Sequence, residues 1–267
     1  MKKCVTFLTI IVATLLTACS SNTGKSKEEK SNSITFETIS RTDTCYLDTT
    51  YSESPKYISN ISVKVAKSDN KELEAKINNS ILYTLFEYEN MSMGAAIDTF
   101  VSGTFREYYD LRPEYFNEKQ INRNPVWLNF AYELKTDVEY GRDNTIIYMI
   151  ENYTFTGGAH PNTVATYINF NSETGDEIKL GDIFKENYEE MLNNRLTDAL
   201  ADKIGAKSRK DIMEKGYLTF NDIYPTENFM LKKDSILFFY NRYDIAPYAL
   251  GTTTLGFSYE ELSDIIK

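Results

Sequence analysis

Between residues 126 and 155 the chain reads VWLNFAYELKTDVEYGRDNTIIYMIENYTF, and this stretch constrains the fold more than any other. Leu128, Phe130, Tyr132 and Leu134 fall at every second position, which puts them on one face of an extended strand and on no single face of a helix. GRDN at 141–144 supplies turn residues and apolar side chains resume from Ile146 to Phe155, so the segment predicts a long antiparallel hairpin. TVATYINF, directly after it, is expected as a third antiparallel neighbour. A second hairpin is written in NFMLKKDSILFFYNRY, with Phe229 and Leu231 on one arm and Ile236, Phe238 and Tyr240 on the other. ITFETISRTDTCYLDTTY and YISNISVKVAKS, near the start, are rich in β-branched and aromatic residues and predict two further strands.

Helical spacing appears in separate blocks. Leu73, Ile77, Ile81 and Leu85 recur every four residues, with Asp69 and Glu72 as the expected capping pair. Ile97, Val101, Phe105 and Tyr108 predict a second helix over 93–109, with Pro113 just past its end. Leu192, Leu196, Leu200 and Ile204 form the stripe of a third, over 186–204. SRKDIMEKG gives a short helical piece, and SYEELSDIIK a closing helix with a Ser258–Glu261 capping box. Strands that pair locally and helices that come in blocks indicate an α+β protein of two small α+β subdomains, each an antiparallel sheet packed with helices. The expected divisions are 34–165 and 166–267.

The N-terminus addresses a different question. MKKCVTFLTIIVATLLTACSSN places two lysines before an uncharged run that is shorter than the roughly 20 residues of a spanning helix. It ends in Leu16-Thr17-Ala18-Cys19, which resembles a bacterial lipobox. Residues 1–18 are therefore expected to be a lipoprotein signal peptide, and Cys19 the acylated new N-terminus. Acyl chains at about 0.8 kcal/mol per buried CH₂ hold such a protein stably on a membrane once two are present. Serines after the cysteine favour an outer membrane in a double-membraned cell. SSNTGKSKEEKSNS has no large apolar side chain, so 19–33 are expected to be a flexible tether.

The 267 residues carry 29 basic and 39 acidic side chains, a net charge of −10, which argues against nucleic acid or anionic lipid heads as partners. With Cys4 in the leader and Cys19 lipidated, Cys45 has no partner for a disulfide and no companions for a cysteine zinc site. It is expected as a small, partly buried residue. No cofactor is expected.

Two loops stand out. In GGAHPN the glycines Gly157 and Gly158 permit positive φ or a close backbone approach, and Pro161 pushes His160 toward extended geometry. His160 is either a local hydrogen-bond partner in a tight turn or an imidazole that meets a ligand. In YDIAPYALG, Pro247 fixes φ, Gly251 frees the exit, and Ile245 with Leu250 are expected to plug the core. Tyr243 and Tyr248 either pack or supply stiff, amphipathic contact area.

These two loops also carry a resemblance. YDIAPYALG followed by a strand and YEEL (Tyr243, Ile245, Ala246, Pro247, Tyr248, Ala249, Gly251, Tyr259, Leu262) is similar to the C-terminal signature of the PdaC-like/RsiV-like extracytoplasmic domain family. GGAH at 157–160 and TGDEIKLGDIF resemble two more of its segments, although Pro161 stands where a glycine is common. The resemblance spans about 34–267. It implies an envelope module associated with wall glycan or, in the anti-sigma branch, with lysozyme. Deacetylases of the family carry a further catalytic domain with a His/Asp metal site; this sequence has one histidine and nothing resembling that domain, so it is expected not to be an enzyme. The expected function is a lipid-anchored binding module for peptidoglycan-type glycan or a cationic lysozyme-like protein, with Gly157, Gly158, His160, Tyr243, Pro247 and Tyr248 as contact residues. A carboxylate-dependent glycan hydrolase and a purely structural envelope lipoprotein are the alternatives.

Overall fold

In the computed structural model, residues 33–219 and 221–267 and the backbone of Val5–Phe7 are described. The expected lipid attachment at Cys19, the tether and the rest of the leader lie outside these residues. The chain forms two compact units: Met1–Asp137 with Glu151–Thr163, and Val138–Ile150 with Val164–Lys267.

The first sheet has the order β1-β2-β3-β4-β5-β6. Strand β1 is Val5–Phe7, antiparallel to β2, Thr35–Tyr46. Strand β3, Lys56–Lys67, pairs β2 antiparallel from Thr35↔Lys67 to Tyr46↔Lys56. Its side chains alternate buried and half-buried along nearly its whole length, the mark of a strand with one face in a core. Strand β4 is Phe130–Tyr140, β5 is Thr145–Thr156 and β6 is Asn162–Asn171. The sheet differs from expectation in one respect: β3 and β4 run parallel, so it is mixed. The chain between them makes three helices, and a parallel pair requires a crossover of that length.

Helix α1 is Lys71–Phe86. Its cap is Asn70, whose side chain accepts from the N–H groups of Glu72 and Leu73, not the expected Asp69–Glu72 pair. Its buried face is Leu73, Ile77, Ile81, Leu82 and Phe86, with Leu85 displaced to the flank. Helix α2, Met93–Tyr109, has the expected bounds, a Ser92 cap and a buried stripe that includes Ile97, Val101, Phe105 and Tyr108. Pro113 lies just past the end of α2, as expected, and also stands in the first turn of a further helix, α3, Arg112–Glu118, where a missing N–H is tolerated. Tyr57 on β3 gathers Phe105, Tyr108 and Phe130 around it with ring centroids 5.4–5.9 Å away. Cys45 is fully buried in this core.

The second unit contains α4 (Leu180–Ile183), α5 (Glu189–Ile204), α6 (Arg209–Glu214) and an antiparallel sheet of order β7-β8-β9. Its strands are Phe229–Leu231, Ser235–Tyr240 and Thr253–Ser258. Leu192, Leu196 and Leu200 pack from α5 against Phe229, Phe238 and Leu255 of the sheet side of the same core. Strands β6 and β7 belong to different sheets and are stitched by side-chain carboxamides. Asn169 donates to the Phe229 carbonyl (2.8 Å) and accepts from the Leu231 N–H (3.0 Å). Asn228 accepts from Tyr167 N–H (2.8 Å) and donates to the Ala165 carbonyl (2.9 Å), and Asn241 holds both the N–H and the carbonyl of Ala165.

The expected closing helix is absent. Ser258 and Glu261 do form their reciprocal bonds, with Ser258 N–H to Glu261 Oε2 at 2.7 Å and Glu261 N–H to Ser258 Oγ at 3.2 Å. Beyond them the chain runs in turns that bury Leu262 and Ile265 and bridge Ile266 to Phe184. No helix among the described residues is long and apolar enough to cross a membrane.

Candidate functional site

The Gly-Gly-Ala-His turn joins β5 to β6 in the first unit. Gly157 sits at φ +78°, and a Cβ there would lie 1.8 Å from the Trp127 carbonyl oxygen. Only glycine fits, because the turn backs directly onto the Trp127 main chain. Gly158 meets nothing within 4 Å of an added Cβ, so its side of the turn is open. His160 is exposed, and its Nδ1 lies 3.1 Å from the Pro161 carbonyl, which only accepts; Nδ1 therefore carries the hydrogen.

What the turn supports is a residue the sequence reading passed over. Val126–Leu128 forms a 3-10 turn whose last residue is wholly buried, while Val126 is 73% and Trp127 47% exposed. The Leu128 carbonyl accepts from the Tyr108 hydroxyl at 2.7 Å, and Asn129 Nδ2 donates to Asn124 Oδ1 at 2.7 Å. The indole is thus presented by a braced segment. The signal was available: if Leu128 and Phe130 face inward, Trp127 faces outward, and it is the single tryptophan of the chain.

In the second unit YDIAPYALG divides unevenly. Ile245 is 3% exposed and anchors the loop as expected, its carbonyl accepting from Leu218 N–H at 2.8 Å. Leu250, expected beside it in the core, is 40% exposed: Pro247 starts a 3-10 turn over Tyr248–Leu250 that carries Leu250 outward before Gly251, at φ +75°, turns the chain into β9. Tyr243 holds a left-handed φ of 72° and is exposed. Its ring lies 5.9 Å from that of Tyr248, over which the Arg242 guanidinium sits at 4.8 Å. The structure therefore brings Tyr243 and Tyr248 together and adds Arg242. Asp244, next in sequence to Tyr243, is held above the usual carboxylate range by burial, against which the Asn241 N–H works. A separate cleft of about 530 Å³ in this unit is lined by Arg142, Thr145, Asp182, Tyr259 and Lys267, with Arg142 stacked over Tyr259 at 4.1 Å. Among the described residues no three His, Cys, Asp or Glu side chains are grouped to hold a metal ion.

Comparison with known proteins finds two matched segments. Residues 51–163 match the family described as deacetylase PdaC, and residues 181–260 match a protein family of unknown function, DUF3298. The peptidoglycan-N-acetylmuramic acid deacetylase PdaC of Bacillus subtilis is 24% identical over 212 residues, covering 78% of this chain; the chain spans 42% of that protein. Among solved structures, a DUF3298-family protein of Bacteroides fragilis is 28% identical with a TM-score of 0.80, covering 88% of this chain and 94% of its own. One from Pseudomonas aeruginosa shares the fold, with a TM-score of 0.58 at 19% identity over 87% of this chain and 95% of its own.

The expectation that the chain is not an enzyme is overturned by these matches: it carries a PdaC deacetylase-type segment, and the curated relative is itself a deacetylase. The chain thus carries a PdaC-like segment followed by a DUF3298-like segment, which makes it similar to extracytoplasmic, envelope-associated domains of that kind.

Proposed function

We propose that the protein is an envelope lipoprotein, attached through Cys19 at the outer membrane, that engages the N-acetylated glycan of peptidoglycan. The observation that carries this reading is Trp127, half-exposed on a braced turn and seated against Gly157. An ordered aromatic face gives a sugar ring a large contact area with little side-chain entropy to lose on binding. His160, exposed on the same turn as Gly157 and Gly158, is the polar contact proposed with it. The peptidoglycan N-acetylmuramic acid for which the Bacillus subtilis relative is named supports the choice of glycan. Tyr243, Pro247 and Tyr248 form the contact surface proposed for the second unit.

The test is co-sedimentation of the purified chain with isolated sacculi. Trp127→Ala should lower retention about tenfold, in line with the loss of a buried aromatic anchor, while leaving the melting curve unchanged. Retention equal to that of the unaltered protein sinks the assignment. Acetate release from the same sacculi reads whether engagement is coupled to deacetylation. Immobilised lysozyme run in parallel identifies a protein ligand in place of glycan.

A further inference from the structure

The three-stranded sheet of the second unit has two edges, and they are treated in opposite ways. The β7 edge is closed: Asn169 occupies the Phe229 carbonyl and the Leu231 N–H, and the Arg142 N–H reaches the Leu231 carbonyl at 3.3 Å. Among the described residues β9 pairs with β8 alone, so its outer side carries a row of backbone donors and acceptors with no strand beside it. Alongside lies a groove of about 580 Å³, lined by Thr254–Phe257 of β9 and by residues 195–203 of α5.

Natural sheets blunt such edges with proline, with bulges or with an inward charge. Strand β9 has none of these. At its centre is Gly256, exposed, with no side chain to keep another backbone away. The glycine also makes room for the Leu237 side chain opposite it on β8, since a Cβ would lie 2.6 Å from Leu237 Cδ2, and the register from Ser235↔Ser258 to Tyr240↔Thr253 is continuous, without a bulge.

The far wall supplies a charge pattern. Asp198 and Asp202 are exposed on α5 and form no ion pair among the described residues; Lys203 and Arg195 line the same wall, the latter already engaged. Arg195 is engaged by Asp264 and the Glu261 carbonyl, beyond the C-terminal end of β9, so α5 runs antiparallel beside the strand. One turn separates the two aspartates, about 6 Å along the axis. Alternate residues of a strand stand about 6.8 Å apart. We infer that the β9 edge accepts an extended peptide segment of a partner protein as a fourth strand, with basic side chains at i and i+2 facing Asp198 and Asp202. Main-chain hydrogen bonds give such a complex its affinity and the flanking carboxylates its selectivity. The site lies wholly in the second unit and stands or falls apart from the glycan reading.

The probe is a heptapeptide alternating valine and lysine, titrated into the full chain at low salt. It should bind and slow amide exchange across residues 254–257. Its counterpart N-methylated at alternate residues keeps every charge but cannot complete the ladder, and should not bind. Asp198→Lys with Asp202→Lys, both on an exposed helix face, should weaken binding about tenfold and favour a valine–glutamate heptapeptide. Failure of the lysine peptide to bind overturns the proposal. Equal binding by the N-methylated peptide, indifference to the double reversal, or protection confined to other strands does the same.

Discussion

Asn169 offers the most direct test of how the second unit is held together. Its carboxamide is 2% exposed and bonds two main-chain groups of β7, the Phe229 carbonyl and the Leu231 N–H, whose residues are 1% and 6% exposed. Asn169→Ala leaves one donor and one acceptor buried without partners, and no side chain nearby is described as reaching them. Each orphaned group costs about 1–3 kcal/mol, so the pair comes to roughly 4 kcal/mol. Urea unfolding should show the loss as a lower midpoint at constant slope, and a chain of this size should melt roughly 8–16 °C earlier. Asn169→Asp separates the two bonds, since it keeps the acceptor for Leu231 but sets a carboxylate oxygen against the Phe229 carbonyl; it should be at least as damaging. A cost below about 1 kcal/mol for Asn169→Ala would show that water replaces the carboxamide and that the stitch is not structural.

Gly157→Ala should strain a positive-φ position and push the Trp127 carbonyl away, shifting the emission of the single tryptophan, whereas Gly158→Ala, with open space around it, should leave the spectrum and the melt unchanged. Identical spectra for the two variants would refute the seating of Trp127 on the turn. Asp244 is raised by burial, so the folded state holds its proton more tightly than the unfolded chain does. The resulting penalty is absent below the unfolded value of about 3.9 and grows as pH rises through the folded one. Asp244→Asn, which keeps an acceptor for the Asn241 N–H, should therefore gain stability relative to the unaltered protein between pH 4 and pH 7; a gap that narrows over that range contradicts it.

Most of the fold was legible because burial imposes a period. The alternation of Phe229, Leu231, Ile236, Phe238 and Tyr240 and the four-residue stripe of Leu192, Leu196 and Leu200 appear in the structure as read. Where reading failed, the deciding interaction was non-local. Nothing near Lys67 announces that β3 pairs with Phe130 in parallel. Ser258–Glu261 wrote a helix start, yet the chain beyond it runs in turns until Ile266 bridges Phe184, far away in sequence. Leu250 has the composition of a core residue, and the 3-10 turn after Pro247 carries it outside. At the candidate site the glycine motif was visible, but the role of Gly157 was not, since the atom that forbids a Cβ belongs to Trp127, thirty positions earlier in the chain.

The asparagine stitch between β6 and β7 has a mechanical corollary. A continuous ladder locks every residue of a strand to its neighbour, so that adding or removing one residue flips all that follow to the opposite face. Three carboxamides grip at points, with one main-chain bond from Arg142 to the Leu231 carbonyl, in place of a continuous ladder. The short hairpin of β7 and β8 can therefore be lengthened at the exposed Lys233–Asp234, just past Lys232, which is tied to Glu139 and whose carbonyl accepts from the Tyr259 hydroxyl; no slip is passed to the long strands, and that tip is the natural place to graft a reporter or a purification handle.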